Sequence, residues 1–451
     1  MLRLPEEIQT AAISRLSPYD LLHVAGVSHQ LRLLALRLLW ETVDSRNRCA
    51  RRMLRGMLRE GPPQERHLAS HFLSTQRAVI RSQTLPLIRH LSIPGIVPLD
   101  LLRAGELTHL RSLDLIGIDL HKVYEGSLAG ELPAVELSNL RELGIPVSAP
   151  TPHHCVIPVF RHVVDVAPKL TSVILRGTIN SYVLGQVALL ARLECLQLAD
   201  HAYFPAQLAG PWDPIELRHL WKLHISGIQP FVLAMFHTIT TTAVTHLHLN
   251  VRLDDASILM AGVMLYPSLT HLHLDIKGPG DDYVWTGPRI LGKLKPIPNL
   301  VSFRFFVSGH VSHTERVNLT NTEAEYICQT WPNLLVVGVG LADHTFFLGI
   351  LNLPHLQELE LNAWRWAEGW VDTCHQLHPA LCFLGFSGCP SGWCRHGPIE
   401  LNLARFPNLQ GPHIVPGHGG LGTSIPKWAR SNTSSEFEST DDDDNAGGDD
   451  E

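Results

Sequence analysis

From Ile88 onward the chain repeats a six-residue pattern in which the first, fourth and sixth positions are apolar and the gaps are mostly polar. Copies begin at Ile88, Leu110, Leu140, Leu170, Leu193, Leu220, Val244, Leu269, Leu300, Leu334, Leu356 and Leu381, spaced 22 to 34 residues apart. Alternation over the last three positions is strand periodicity, so the apolar side chains turn to one face and the intervening ones to the other. Pro168, Pro267, Pro298, Pro332, Pro354 and Pro379 each stand two residues before a copy. Proline cannot continue a helix and favours extended backbone ahead of itself, so each marks a helix-to-strand corner. Pro407-Asn408-Leu409 reads as a seventh corner whose strand is degenerate. Between copies, residues 156–167, 183–192, 256–265 and 322–330 are patterned as helices, the last with a capping box of Thr322 and Glu325.

A helical period governs the first 45 residues. Pro5 suits a first turn, and Ile8, Ala12, Ile13 and Leu16 follow at helical spacing. Ser17, Pro18 and Asp20 break that helix and start one carrying Leu21, Leu22, Val24 and Val27; Ser28 caps a third, which runs through Leu31, Leu34, Ala35, Leu38 and Leu39 to Trp40. So short a bundle cannot hide this many large side chains, and some should meet another protein or the next domain.

The twelve copies resemble leucine-rich repeats over about 320 residues, although the asparagine that usually follows the beat is missing. The resemblance implies an α/β fold: strand, turn, helix and corner stacked into a curved solenoid with a parallel sheet on its concave side. Its absent asparagine points to uneven repeats. At about 4.8 Å per strand, twelve units give a sheet on the order of 55 Å long.

The order Leu4-Pro5-x-Glu7-Ile8, Leu16, Asp20-Leu21-Leu22, Val27-Ser28, Leu31-Arg32, Leu38-Leu39-Trp40-Glu41 and Val43 resembles the F-box. In that family the segment docks on the small adaptor that links substrate receptors to a cullin. The resemblance implies adaptor contacts among Leu4, Pro5, Ile8, Ile13, Leu16, Leu21, Leu22, Val27 and Leu31. It also implies a protein substrate held by the repeats, within a ubiquitin ligase of the SCF (cullin-RING) type. Ala12-Ile13 stands where the family usually has Ile-Phe, a smaller contact that weakens docking. The rival reading is a repeat scaffold or inhibitor whose first helices merely cap the solenoid. Four segments follow: 1–45 helical, F-box-like; 46–85 a helical linker with Arg48, Arg52, Arg55 and Arg59 along one side; 86–410 the solenoid; 411–451 a Gly/Pro-rich exit and disordered acidic tail.

Composition narrows the partners. Hydrophobic residues make up 45% and charged residues 18%, enough to fold most of the length. Nine acids and no base lie in 431–451, so removing them from the net charge of −7 leaves the first 430 residues near +2. That balance gives no phosphate-binding excess, and nucleic acid is not an expected partner. No apolar run approaches the roughly 20 residues a membrane span needs, and the opening MLRLPEEIQT lacks a signal-like stretch. The expectation is an intracellular protein, cytoplasmic or nuclear, off the membrane, with its eight cysteines reduced. Ser434, Ser435, Ser439 and Thr440 beside Asp441 to Asp444 suit an acid-directed kinase.

For chemistry the sequence offers little. Cys374, His375, His378, Cys382, Cys389, Cys394 and His396 are zinc-type ligands but lack a paired C-x-x-C. Gly417, Gly419 and Gly422 spell a dinucleotide loop with no helix after it. No nucleophile elbow, P-loop or H-E-x-x-H occurs, so no catalytic residue, metal ligand or cofactor is nominated. The candidate site is instead the outward face of the middle copies, where Lys222, His224, His246, His248, His271, His273 and Arg304 cluster. Such a face would take an acidic or phosphorylated substrate segment, more tightly below pH 7 as imidazoles charge.

Overall fold

The computed structural model describes residues 6–27, 29–43, 85–92, 107, 109–115, 137–147, 165–177, 179, 181–199, 213–252, 262–277, 291, 294, 296–308, 319–363, 378–389, 407–409 and 412–416. The helices α1 (Glu6–Ile13), α2 (Pro18–Val27) and α3 (His29–Glu41) come first. Ser17 starts α2, its Oγ accepting from Asp20 N at 3.2 Å and donating to Asp20 Oδ2 at 2.7 Å. Arg32 Nε donates to Ala25 O at 2.9 Å and ties α3 to α2.

Without a break α3 enters the sheet as β1 (Thr42–Val43), which pairs in parallel with β2 (His90–Ser92). Then follow β3 (Ser112–Asp114), β4 (Glu142–Val147), β5 (Ser172–Gly177), α4 (Ser181–Val187), β6 (Cys195–Ala199), β7 (Ile215–Glu216), β8 (Lys222–Ile228), α5 (Gln229–Thr238), β9 (Ile239–Thr240), β10 (His246–Arg252), β11 (His271–Lys277) and β12 (Ser302–Ser308). The chain closes with α6 (Asn321–Thr330), β13 (Val336–Ala342), α7 (His344–Ile350), β14 (Glu358–Ala363), β15 (Phe383–Cys389) and β16 (Pro412–Pro416). Among the described residues, fourteen strands form one sheet in chain order, all pairs parallel, with β7 and β9 set aside as a separate pair. Strand after strand added at one edge in parallel is a solenoid.

The hydrophobic beat explains this order. All twelve first-position residues from Ile88 to Leu381 are buried, as are the twelve fourth-position residues from Leu91 to Leu384. Each buried aliphatic contributes roughly 1.5–3 kcal/mol, and matching positions on adjacent strands join into a single core. The sheet exceeds the twelve expected strands at both ends, taking in Thr42–Val43 and the degenerate strand after Pro407-Asn408-Leu409. The longest spacing, Leu300 to Leu334, is filled by α6 and by Trp331, whose ring lies 5.1 Å from that of Phe303.

Local signals were shifted in one place. The capping box of α6 is Thr320 with Glu323, not Thr322 with Glu325: Glu323 Oε2 accepts from Thr320 N at 2.7 Å. The same T-x-x-E spacing occurs two residues earlier, and Glu325 accepts from Asn321 Nδ2 instead. At the end of β5, Gly177 has φ +112°, and a Cβ there would strike Val147 O. Gly177→Ala should therefore cost about 1–3 kcal/mol, read as a lower urea midpoint.

Helices expected at 156–167 and 256–265 fall largely outside the described residues, as do Arg48 to Arg59, Gly417 to Gly422 and the acidic tail.

Candidate functional site

In the F-box-like helices, burial sorts the expected adaptor contacts. Ile13 and Leu21 are 9% and 6% exposed, packed in the core with Leu34, Ala35, Leu39 and Trp40. Most of their apolar area is thus covered within the protein. Ile8 is 52% exposed, while Leu16 and Leu31 are half-buried. Leu33 on α3, which the sequence reading did not single out, is 58% exposed. Leu4 and Pro5 lie outside the described residues, as do the side chains of Leu22 and Val27.

On the sheet, parallel pairing without slippage places equivalent positions side by side. Lys222, His246, His271 and Ser302 make one row across β8, β10, β11 and β12; His224, His248, His273 and Arg304 make the next. All seven residues expected at the candidate face are thus brought together. Their imidazoles stack: His246 on His271 at 3.8 Å between ring centres, His224 on His248 and His248 on His273 at 4.0 Å. Trp221 meets His246 edge-on at 4.9 Å.

Electrostatically this face differs from the expected cationic surface. Burial, reinforced by neighbouring histidines and Lys222, holds His246 and His248 at about 4 and His224 well below its ordinary value. Burial and then Arg304 lower His271 as well. His246 and His248 are therefore neutral at pH 6–7, and for them the expected gain of charge just below pH 7 is corrected: the cost of desolvating an imidazolium outweighs it.

Arg304 is also engaged. Its Nη1 lies 3.1 Å from Glu360 Oε2 and its Nη2 3.9 Å from Glu358 Oε2, with 11% of the Arg304 and Glu360 side chains exposed. Arg304 reaches Glu360 across β13 because Gly338 stands between them; a Cβ there would come 3.0 Å from Arg304 Cγ. Burial raises the Glu360 carboxyl, opposed by Arg304.

Two features escaped the sequence reading. Asp275, one step beyond the beat on β11, accepts from His248 Nε2 through Oδ2 at 3.2 Å. Its Oδ1 lies 3.3 Å from His273 Nε2, out of line for a hydrogen bond. Burial pushes the Asp275 carboxyl up, but the two histidines outweigh it and hold it below the ordinary range. The second feature is a groove of about 790 Å³ beside the histidines, lined by Arg141, Lys169, Thr171, Arg192, Glu194, His219 and Trp221. Arg141, Thr171, Glu194 and Trp221 are all second positions of successive copies, so the signal was present in the beat.

Of the cysteine and histidine stretch, His378 is buried and donates through Nε2 to Leu353 O at 2.9 Å, and Cys382 Sγ donates to Ala380 O at 3.3 Å. Cys374, His375, Cys394 and His396 lie outside the described residues. Among the described residues, no helix is long and apolar enough to cross a membrane.

Residues 1–46 match the F-box-like family model. No curated protein matches the chain. Among solved structures, the chain is similar to the complex of Rad7 and Elc1 in yeast, at 13% identity and a TM-score of 0.33, covering 72% of this chain and 75% of that one. It is also similar to an internalin from Listeria monocytogenes, at 13% identity and a TM-score of 0.27, covering 73% and 67%. The chain thus carries an F-box-like domain ahead of its repeats.

Proposed function

We propose that this chain is the substrate-receiving subunit of an SCF-type ubiquitin ligase, docking the adaptor, and through it a cullin, with residues 1–45. The observation that carries this reading is the F-box-like match over residues 1–46, directly joined through β1 to a sheet with a long outward face. Residues 46–85 then link the two parts and 86–410 form the receptor proper, ahead of the exit and tail at 411–451. Adaptor contacts come from Ile8, Leu16 and Leu31 together with Leu4, Pro5, Leu22 and Val27, and the exposed Leu33 adds apolar area beside them.

The protein substrate rests on the rows holding Lys222, His224, His246, His248, His271, His273 and Arg304. With His246 and His248 neutral, the rings stacked and Arg304 paired, these rows offer flat surface and hydrogen bonds. Charge for an acidic substrate segment comes from Lys222 and the adjoining Arg141, Lys169 and Arg192. The chain performs no chemistry; it raises the effective concentration of a target lysine near the ligase's catalytic partners.

Capture of purified SCF adaptor by the full chain tests the reading. Wild type should retain it, and Ile8→Asp with Leu33→Asp should weaken retention at least tenfold while shifting the urea midpoint little, because both side chains face water. No retention by the wild type would sink the ligase assignment and leave a repeat scaffold.

A further inference from the structure

We propose that His248, His273 and Asp275 form a binding site for one divalent transition-metal ion of the zinc class. One Nε2 or Nδ1 atom from each histidine and a carboxylate oxygen lie within 4.8 Å of one another. Tetrahedral zinc with bonds of about 2.0–2.2 Å sets its ligand atoms about 3.4 Å apart, so the three atoms close on an ion by shifts of about an ångström. The donor set, two imidazoles and one carboxylate, suits zinc, nickel or cobalt; calcium and magnesium prefer oxygen alone.

A second, independent observation points to a ligand here. The Nε2 atoms of His273 and of His224, two strands away on β8, are buried without a hydrogen-bond partner. Buried polar atoms are nearly always satisfied, and an unfilled ion site is one of the few explanations when they are not. An ion at the trio takes the lone pair of His273 directly. His224, stacked on His248, supports that ring from the adjacent strand.

The frame is in register and partly open. His248 and His273 face each other across β10 and β11, and Asp275 lies two residues along β11, all on one in-register ladder. Their side chains are 20%, 28% and 29% exposed, so an ion enters from solvent and keeps outward coordination positions for water or a partner's group. His248 Nε2 now faces Asp275 Oδ2 at 3.2 Å; when Nε2 takes the metal, the ring's N–H resides on Nδ1. Charges nearby are already matched, Arg304 by Glu360 and Glu358. The rings of His248 and His273 lie within 2° of parallel, so binding must tilt them to aim both lone pairs at one point.

The site is independent of adaptor docking, and the test uses the full chain alone, stripped with a chelator. Zinc chloride is titrated by calorimetry and cobalt chloride by visible absorption, on wild type, on Asp275→Asn and on His248→Gln with His273→Gln. Wild type should bind one more equivalent than the double variant, and Asp275→Asn should bind that equivalent at least tenfold more weakly. Its cobalt spectrum should show nitrogen and oxygen ligation without a thiolate band. Asp275→Asn preserves shape, so it decides the matter should the double variant misfold. Equal stoichiometry and affinity in wild type and Asp275→Asn, or a wild-type cobalt spectrum dominated by thiolate, overturns the site.

Discussion

Moving from pH 7.5 to pH 5 should lower the protein's folding stability by on the order of 3 kcal/mol through the histidine rows alone. His246 and His248 have folded values of about 4, against 6.5 in the unfolded chain. Between those limits the unfolded state binds more protons, so acidification favours it. The neutral rings cost nothing above pH 6.5; the penalty grows as pH falls and levels off below about 4. At pH 5 it amounts to about 2 kcal/mol for His248 and less for the more open His246, with His224 adding in the same direction. Asp275, held low by its histidines, keeps its charge throughout this window and does not offset the loss. The charged groups facing the rings are Lys222, Asp275 and Arg304. Urea midpoints at the two pH values measure the loss, and substituting both His246 and His248 by Gln should remove most of it. An unchanged pH dependence in that variant would show that the rings titrate normally.

The same rows show how much the sequence held. Strand positions were legible because the beat is a burial pattern: Leu247 and Leu249 had to be inside, which left His246 and His248 outside. Adjacency was legible too, since parallel strands in chain order put equivalent copies next to one another. What the residues could not reveal was how deep the outward face lies. A histidine between two other histidines and under Asp275 and Arg304 is shielded by neighbours from other copies, and its loss of basicity is a property of that company. Asp275 was overlooked for a simpler reason: a six-residue beat stops at Leu274, whereas β11 continues to Lys277. The burial of Ile13 and Leu21 was not legible either. Ile13 and Leu21 fit the F-box order, but three short helices need some core of their own, and these two supply it.

The charge partnership at Arg304 yields the other large effect. Arg304→Met should cost about 3–5 kcal/mol, since it leaves the Glu360 carboxylate, 11% exposed, without its cation. Adding Glu360→Gln should return most of that loss, because removing both charges removes the need for either. A coupling of at least 2 kcal/mol in the double-mutant cycle is therefore expected. The pH dependence gives a second signature. Burial already raises the folded Glu360 carboxyl against the pull of Arg304; without that pull it rises further. A raised acid stabilises the fold only when protonated, so the Arg304→Met deficit is full above its new folded value and shrinks as pH falls through it. Measured against the double variant at each pH, which cancels the histidine contribution, the deficit should be smaller at pH 5 than at pH 8. A pH-independent deficit would mean that Arg304 stabilises by packing its stem over Gly338. The same device recurs with its arginine five copies earlier, where Arg176 reaches Asp114 at 2.6 Å across Gly144, so a glycine between opposite charges two strands apart is how this sheet cancels charge on its outward face.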